Sequence, residues 1–320
     1  MTHVITARNV NVAFAEGWWH LRTAGIGEDS RNGRVIVAPG PVITEYRVPT
    51  ERVLFNEKRD ANPVFHLMEC IWMLAGENHT SWLEQFNPRM ADYTEDHVMH
   101  AAYGHRWRRH FNIDQLPLIV GILKTKPDSR QAVLQMWDPE DLMGTWKDRA
   151  CNTAAYFDCR GGVLNMTVTC RSNDMLWGAY GANAVHFSFL QEVLAHAIGV
   201  PVGVYRQFSN NFHVYADLDL VKHFLSNPPY YEGDRYTTTA SCTPYPVLAG
   251  KETMADLTAD CRAMILDMLP TRTAFMCNVA APLYSAYMAR KTGNPWSAKG
   301  VAECDWKYAF VEWAKRRNVK

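Results

Sequence analysis

The chain has 320 residues, of which 48% are hydrophobic and 21% charged, and its 33 acidic and 33 basic side chains cancel. This length allows one large domain or one domain with an appendage, and the composition excludes an intrinsically disordered chain. The balanced charge argues against general nucleic-acid binding, which needs a basic excess, so no direct nucleic-acid partner is expected.

The sequence predicts a cytoplasmic protein with no membrane segment. The first residues carry no apolar stretch behind a basic start, so no signal peptide is expected. No run of about eighteen apolar residues occurs, so no membrane span is expected either. Because the eight cysteines contain no Cys-x-x-Cys pair, they are predicted to be free thiols in a reducing compartment, without a metal site.

The first predicted elements are β-structure and a buried helix. Residues 33–48 have a β-like pattern that a Pro-Gly-Pro turn interrupts. Residues 62–76 predict a helix with Asn62 as its N-cap and Gly76 at its end. This helix is apolar nearly all round, so Glu69 in its middle requires a partner or a function.

Later segments complete an α+β pattern with a mixed or antiparallel sheet around a buried central helix. Strands are predicted at 131–137 and 163–171, short β-like or turn segments at 202–208 and 213–219, and the central helix at 184–198. Helices are predicted at 251–268, 273–291 and 301–317. Residues 1–240 are therefore expected to form the catalytic domain and residues 241–320 a helical C-terminal extension packed on it, with a linker near 230–250.

Cys151 and several arginines are the first candidates for chemistry. Arg31, Arg130 and Arg171 lie near the ends of predicted elements, where a guanidinium fork can bind a phosphate bidentately. Taken singly, each arginine is better explained as a surface ion pair, and Cys151 as a small buried hydrophobe.

Six motifs, some of which contain the residues just named, change this assessment when they are considered together. In chain order they are Glu69 with Trp72-Met73-Leu74-Ala75-Gly76, Tyr103-Gly104-His105-Arg106-Trp107, Ser129-Arg130, Cys151, Arg171-Ser172-x-Asp174 with Gly178 and Asn183, and His213-Val214-Tyr215. In order and spacing, residues 30–220 resemble the thymidylate synthase superfamily, which includes the pyrimidine-nucleotide hydroxymethylases. The resemblance implies a thymidylate synthase-like fold and a transferase that uses methylenetetrahydrofolate as co-substrate.

The resemblance also implies a role for each matching residue. Cys151 would add to carbon 6 of the pyrimidine as a thiolate, which nearby arginines would favour, while Glu69 and Tyr103 would move protons through ordered water. The implied substrate contacts are Arg31, Arg171 and Ser172 to the 5′-phosphate, Arg130 from the partner subunit of a homodimer, Asn183 and Asn152 at the base, and His213 and Tyr215 at the sugar. The implied folate contacts are Asp174, Lys58, Met90, Trp177 and Gly178.

Several departures from the methylase pattern favour a hydroxymethylase. A methylase reduces the exocyclic methylene of its intermediate with hydride, whereas a hydroxymethylase adds water. The departures are a C-terminal Trp313–Lys320 segment in place of an apolar closing tail, Met90 in place of a tryptophan, Asn152 in place of histidine, and one extra residue between Gly178 and Asn183.

The identity of the base is the least determined property. The Asn183 amide can pair with uracil or, turned round, with cytosine. The viral dCMP hydroxymethylases that the chain resembles have aspartate at this position, which favours uracil, but Asn152 resembles the cytosine enzymes, and Ser172 favours deoxyribose. The sequence thus predicts a dCMP 5-hydroxymethylase. The alternatives are a thymidylate synthase, a dUMP or CMP hydroxymethylase, or a catalytically silent homologue that binds nucleotide or RNA.

Overall fold

The computed structural model describes residues 1–227, 233–240 and 242–317. Part of the linker predicted near 230–250 lies outside these ranges. Residues 318–320, which end the Trp313–Lys320 segment compared above with the methylase tail, also lie outside them. The strands are β1 His3–Ala7, β2 Ile26–Ser30, β3 Gly33–Val37, β4 Val42–Tyr46, β5 Val133–Gln135, β6 Asn152–Asp158, β7 Leu164–Cys170, β8 Asn173–Asp174, β9 Val202–Ser209 and β10 Phe212–Tyr215.

The helices lie mainly between and after these strands. They are α1 Val10–Ala24, α2 Pro63–Ala75, α3 Tyr103–His105, α4 Gln115–Thr125, α5 Asn183–Ile198, α6 Asp219–Ser226, α7 Arg235–Thr238, α8 Met254–Ile265, α9 Ala281–Lys291 and α10 Asp305–Arg316. Segments of π-helix cover Arg106–His110, Met175–Ala182 and Met276–Ala280. Short 3₁₀ turns cover Leu83–Gln85, Pro88–Tyr93, Pro139–Leu142 and Arg160–Gly162.

Six strands form a mixed sheet in the order β1-β4-β9-β7-β6-β5. The pairs β1–β4 and β7–β9 are parallel, and the other neighbours are antiparallel. Helix α5 packs against β7, β9 and α2 and is buried over most of its length. The predicted mixed sheet around a buried central helix is therefore confirmed.

A smaller sheet, in the order β2-β3-β10-β8, lies beside the first. In it β10 runs parallel to β8, so that His213 lies opposite Asp174. On its other side β10 is antiparallel to β3, with Tyr215 opposite Val35. This sheet thus brings together residues that are about forty and about one hundred and eighty positions apart in the sequence.

Helix α2 begins and ends where the sequence predicts. The Asn62 side chain accepts hydrogen bonds from the backbone N–H groups of Val64 and Phe65, at 3.1 and 3.2 Å. At the other end Gly76 adopts a left-handed conformation with φ 77°, which glycine accommodates without strain. Because almost every side chain between these caps is buried, the helix forms the centre of the core.

The three helices predicted after residue 245 are present, each somewhat shorter than expected. Helices α8 and α10 pack on α2, and their apolar side chains belong to the same continuous core as the sheet. Within the predicted linker, the Tyr236 hydroxyl donates to Asp305 at 2.9 Å and accepts from the Val53 N–H at 3.0 Å. This part of the linker is therefore packed, and the division at residue 240 stays a prediction.

The sequence reasoning did not anticipate β1, α1, β2, α4 and β6. Helix α1 carried a usable signal, since Asn9 caps it by accepting from the N–H groups of Asn11 and Val12. Among the described residues, no helix is long and apolar enough to cross a membrane.

Gly104 offers a test of how α3 is held against α2. A Cβ atom at this position would lie 2.0 Å from the backbone oxygen of Met73 and 2.4 Å from its Cα. We expect Gly104→Ala to lower the free energy of unfolding by about 3 kcal/mol, since two backbones must separate. Gly121→Ala is the matched control, because a Cβ there has no neighbour within 4 Å among the described residues. Chemical denaturation of both variants measures the effect, and equal stabilities would contradict the close packing.

Candidate active site

The antiparallel pair β6–β7 places the candidate nucleophile against an arginine. Cys151 immediately precedes β6 and Arg171 immediately follows β7, and Asn152 pairs with Cys170 between them. The backbone N–H of Arg171 donates to the Cys151 carbonyl at 2.8 Å. Its Nε donates to the Ala150 carbonyl, also at 2.8 Å. Cys151 and Arg171, which are twenty positions apart in the sequence, are therefore in direct contact.

Tyr103 fixes the backbone at the nucleophile. Its hydroxyl oxygen accepts hydrogen bonds from the N–H groups of both Cys151 and Asn152, each at 3.0 Å. Burial, with the neighbouring Cys151 and Cys170 adding to it, raises the pKa of Tyr103, so its hydroxyl is neutral. The structure therefore brings Tyr103 into contact with the backbone of the candidate nucleophile.

The electrostatics of the thiol differ from the expectation. Burial raises the pKa of the Cys151 thiol, and Arg171 opposes that shift with the smaller effect. The arginine acts in the predicted direction, but desolvation outweighs it because the sulfur lies in a largely water-free site. Cys151 is therefore a protonated thiol in this structure.

Three side-chain amides form a directed chain behind the nucleophile. Nδ2 of Asn152 donates to Oδ1 of Asn183 at 2.9 Å, and Nδ2 of Asn183 donates to Oδ1 of Asn173 at 3.1 Å. Nδ2 of Asn173 then donates to the Ser209 hydroxyl at 2.9 Å. All four residues are buried, so the chain links β6, α5, β8 and β9 in a region of low dielectric constant.

Gly178 makes room for this amide chain. A Cβ atom at position 178 would lie 2.6 Å from Oδ1 of Asn173 and 3.5 Å from Nδ2 of Asn183. The glycine of the motif is therefore explained by the close approach of its backbone to Asn173.

A π-helix leads into Asn183. Met175–Ala182 has π-helical bonding, and Gly181 departs from helical geometry within it, with φ −111° and ψ −109°. A π-bulge inserts one residue into a helical path while the rest of the helix keeps its position. Asn183 begins α5 directly after this segment, with its side chain in the amide chain.

The second sheet lines a cleft of about 650 Å³ beside these residues. Arg31 in the turn between β2 and β3 and Tyr215 on β10 form part of its walls, as the sequence predicts for a nucleotide site. The other walls include Trp146, Lys147, Arg149 and Trp177. These six cationic or aromatic groups around one opening suit an anionic ligand with a ring.

His213 lies just below the cleft, buried opposite Asp174. Its ring stands perpendicular to that of Tyr215, with 5.5 Å between the centroids. Burial lowers the pKa of His213, so the imidazole is held neutral and can act as donor or acceptor toward a sugar hydroxyl. Nδ1 of His213 is buried and has no hydrogen-bond partner in the part of the chain that the structure describes.

Asp174 has the surroundings expected of a pterin-binding carboxylate. Its Oδ1 accepts from the Trp177 N–H at 2.6 Å, while Oδ2 is buried without a partner among residues 1–227, 233–240 and 242–317. Burial raises the pKa of Asp174 to about 6, against backbone N–H groups and Arg59 that lower it. A buried acceptor beside an aromatic ring fits the N–H donors and flat ring of a pterin.

Arg59 supports this end of the cleft from below. Its guanidinium lies 4.1 Å from the centre of the Trp177 ring, and its Nε donates to the Leu176 carbonyl at 2.8 Å. Burial lowers the pKa of Arg59 to about 10, against the carboxylates of Asp174 and Asp60, so it stays charged near neutrality.

The C-terminal helix α10 anchors the loop that carries Arg59. Arg316 donates to Oδ1 of Asp60 at 3.0 and 3.2 Å, and Arg317 bonds both carboxylate oxygens of the same residue. The Arg317 guanidinium also stacks on Trp313, 4.0 Å from the ring centre. Asp60 therefore connects the C-terminal end of α10 to the loop that carries Arg59.

Glu69 on α2 faces α5 rather than the cleft mouth. Its Oε2 lies 3.4 Å from Nε2 of His186, and both side chains are largely buried. His186 is one helical turn after Asn183, so the two side chains share a face of α5.

Three predicted site residues, Arg130, Lys58 and Met90, do not lie among the site residues described above. Arg130 is exposed and is not among the described residues that line the cleft. Lys58 is exposed beside the buried Arg59, and Met90 is buried in the hydrophobic core. Ser172 is half-buried between Arg171 and Asn173.

The residues of the site that the sequence reasoning missed include Arg59, Arg149, Asn173 and His186, and also Trp146, Lys147 and Ser209. Asn173 lies inside the Arg171–Asp174 motif, and Arg59 is adjacent to Lys58, so position in the motif was an available signal for both. For His186, the signal was its spacing of three from Asn183. Nothing in the sequence distinguished Arg149 from a surface arginine.

Comparisons with known proteins agree with this geometry. The family model for thymidylate synthase matches residues 31–237. The chain is 43% identical to the deoxyuridylate hydroxymethyltransferase of Pseudomonas phage M6, over 99% of this chain and 95% of the relative. It is 37% identical to the deoxyuridylate hydroxymethyltransferase of Bacillus phage SP01, over 58% of this chain and 52% of the relative. The thymidylate synthase of Corynebacterium aurimucosum is 29% identical over 50% of this chain.

The fold, the site and the similarity define a nucleotide-modifying transferase, and the chain belongs to the thymidylate synthase family. It is a methylenetetrahydrofolate-dependent enzyme that transfers a one-carbon unit to carbon 5 of a pyrimidine nucleotide. The folate supplies the one-carbon unit when it is bound. Among the described residues, no cluster of His, Cys, Asp or Glu side chains has the arrangement of a metal site.

Asp174→Asn tests two effects of the buried carboxylate separately: its effect on activity and its effect on the free energy of folding. The folded-state pKa of about 6 exceeds the ordinary 3.8, so ionisation disfavours folding and wild-type stability falls between about pH 4 and pH 6. We expect the variant to lose activity, yet to gain thermal stability over wild type as the pH rises through that interval, with a constant gain above it. Thermal unfolding from about pH 4 to pH 8 measures this, with the exposed Asp217→Asn as control. A gain that is the same at every pH would contradict the raised pKa.

Proposed function

We propose that this enzyme is a dUMP 5-hydroxymethyltransferase, with Cys151 as the nucleophile that adds to carbon 6 of uracil. The observation that carries the choice of base is the direction of the amide chain. Asn152 donates to Oδ1 of Asn183, and Asn183 donates to Asn173. Asn183 thus keeps one acceptor lone pair and one N–H for the substrate, which complement the N3–H and O4 of uracil.

Cytosine would require the opposite arrangement. Its N3 accepts and its amine donates, so Asn183 would have to turn round, and Oδ1 would then oppose Oδ1 of Asn173. Asn152 and Asn173 would both have to reverse as well. Leaving one buried partner unpaired costs about 1–3 kcal/mol, which corresponds to roughly 5- to 150-fold discrimination against cytosine. Asn152, which by resemblance suggests dCMP, therefore supports uracil through its hydrogen bond.

The names of the relatives support hydroxymethyl transfer over methyl transfer. Three of them, including the one that aligns along almost the whole chain, are deoxyuridylate hydroxymethyltransferases. The burial of Met90 supports the same choice, since the side chain at the methylase tryptophan position belongs to the hydrophobic core. The enzyme would act in the cytoplasm of the host cell, where the eight free thiols stay reduced.

The remaining parts of the proposal concern the phosphate, the sugar and the partner subunit. Arg31, Arg171 and Ser172 bind the 5′-phosphate, and His213 and Tyr215 bind the sugar. We place Arg130 in the site of the partner subunit of a homodimer, because it is exposed on its own subunit, away from the cleft. The helices after residue 240 hold the Arg59 loop and thereby the folate end of the cleft.

Product analysis tests the reaction and the base together. Incubation with methylenetetrahydrofolate and each of dUMP, dCMP and CMP should give 5-hydroxymethyl-dUMP as the main product by mass spectrometry, with dCMP conversion about 10- to 100-fold slower. No dihydrofolate absorbance should accompany turnover, because no hydride is transferred. Dihydrofolate formed in step with product would identify a thymidylate synthase, and faster dCMP conversion would reverse the assignment of the base. Cys151→Ala, which should still bind dUMP, is the inactive control.

Mixed dimers test the shared site. Cys151→Ala and Arg130→Ala homodimers should each be nearly inactive. After subunit exchange at equal amounts, about a quarter of all sites would combine an intact Cys151 with a partner Arg130. Recovery of activity on mixing is therefore expected, and no recovery would place Arg130 outside the partner's site.

A further inference from the structure

Glu69 and His186 form a buried polar pair one helical turn along α5 from Asn183. The pair is separate from the proposed nucleophile and from the proposed phosphate contacts. Oε2 of Glu69 and Nε2 of His186 are 3.4 Å apart, with side chains only 14% and 5% exposed. Within the described part of the chain, neither atom has a hydrogen-bond partner, and both are buried. Buried polar atoms are nearly always paired, so two such atoms facing each other form a built site for a small polar ligand.

A neighbouring histidine, His66, carries no charge beside this pair. His66, one turn before Glu69 on α2, faces His186, and Arg59 lies near His66. Burial, and then Arg59 and His186, holds the pKa of His66 well below its ordinary value, so His66 is neutral. Glu69 is the carboxyl group that the structure places beside His186 among the described residues, with its Oε2 3.4 Å from Nε2 of the histidine.

The position of the pair relative to the substrate is set by α5. Asn183 and His186 are three residues apart and lie on the same face of the helix. A base held by Asn183 therefore has the Glu69–His186 pair within one helical turn. The reaction requires a water molecule next to carbon 5 of that base, because the one-carbon unit leaves the enzyme as a hydroxymethyl group.

We propose that His186 is a catalytic residue that, together with Glu69, binds the water that adds to the one-carbon unit and accepts its proton. This inference rests on the proposed hydroxymethyl transfer and deepens it. A histidine is suited to the role because its imidazole exchanges protons near neutrality, and an adjacent carboxylate favours the imidazolium that forms.

The step balances without an oxidant or reductant. The water oxygen forms a bond to the exocyclic methylene carbon of the nucleotide, and the water proton passes to Nε2 of His186. The electrons of the exocyclic double bond move to the oxygen on carbon 4. Their return to the ring expels the Cys151 sulfur from carbon 6 as a thiolate and restores the pyrimidine.

The test separates steps before water addition from water addition itself. Tritium at carbon 5 of dUMP is released before the water adds, and 5-hydroxymethyl-dUMP forms after it. In a single turnover with enzyme in excess over dUMP, we expect His186→Ala to release tritium at close to the wild-type rate and to form product about 10²-fold more slowly, so that the ratio of the two rates falls by the same factor. Added 2-mercaptoethanol should then be incorporated as a thioether at the exocyclic carbon, because it replaces the missing activated water.

Two further variants keep the result interpretable. His186→Gln retains a hydrogen-bonding group at the site but accepts no proton, so it should show the same loss if the alanine variant fails to fold. His196→Ala is the matched control on the same helix, since His196 bonds only the Glu252 backbone carbonyl among the partners that the structure gives it. Thermal unfolding and dUMP binding verify that each variant is folded.

The possible outcomes discriminate between the two proposals. A product-to-tritium ratio that is unchanged in folded His186 variants overturns the role of His186, as does a parallel fall of both measurements. Failure of wild-type enzyme to form 5-hydroxymethyl-dUMP would instead refute the proposed function. If wild type hydroxymethylates dCMP, the same ratio measured with tritiated dCMP tests His186 independently of the base.

Discussion

The active site depends on the chain of hydrogen bonds from Asn152 through Asn183 and Asn173 to Ser209. Each member comes from a different element of the fold, namely β6, α5, β8 and β9, and each is buried. A buried amide that lost its partner would carry a desolvation cost, so the four elements can occupy only positions that keep the chain intact. The same constraint sets which donor and which acceptor of the Asn183 amide remain free.

Burial determines most of the electrostatics around this chain. It raises the pKa values of Cys151, Tyr103 and Asp174 and lowers that of His213, and in each case it is the largest cause. The site is thus built from groups that are neutral or costly to charge before the substrate binds. Such a preorganised environment stabilises charge where the reaction creates it, at the expense of folding stability.

The C-terminal helices take part in this arrangement although the family model ends at residue 237. Helices α8 and α10 cover α2, which carries Glu69, and α10 fixes Asp60 beside Arg59. The relative from phage M6 aligns along 99% of this chain, so its similarity extends over these helices as well. Through Asp60 the C-terminal end of α10 holds the loop that carries Arg59, whose guanidinium lies against the Trp177 ring.

The sequence by itself determined the local structure and the chemistry of its motifs. The caps of α2 at Asn62 and Gly76, the period-two pattern of β7 and the buried helix α5 follow from propensity and periodicity, which act between near neighbours. The motifs around Cys151 and Asp174 identified the family for the same reason, because the reaction needs those residue types at fixed intervals. Strands β1 and β6 escaped prediction, since long-range pairing contributes more than local propensity to specifying them.

Only the tertiary structure decided how these residues act on one another. The sequence could not show that Asn152 donates to Asn183, that burial outweighs Arg171 at the Cys151 thiol, or that His186 faces Glu69. Hydrogen-bond direction and desolvation depend on atoms brought together from distant positions, and they change with shifts of an ångström. The residue types therefore identified the class of reaction. The packing set the orientation of the side-chain amides, and the choice of base is inferred from that orientation.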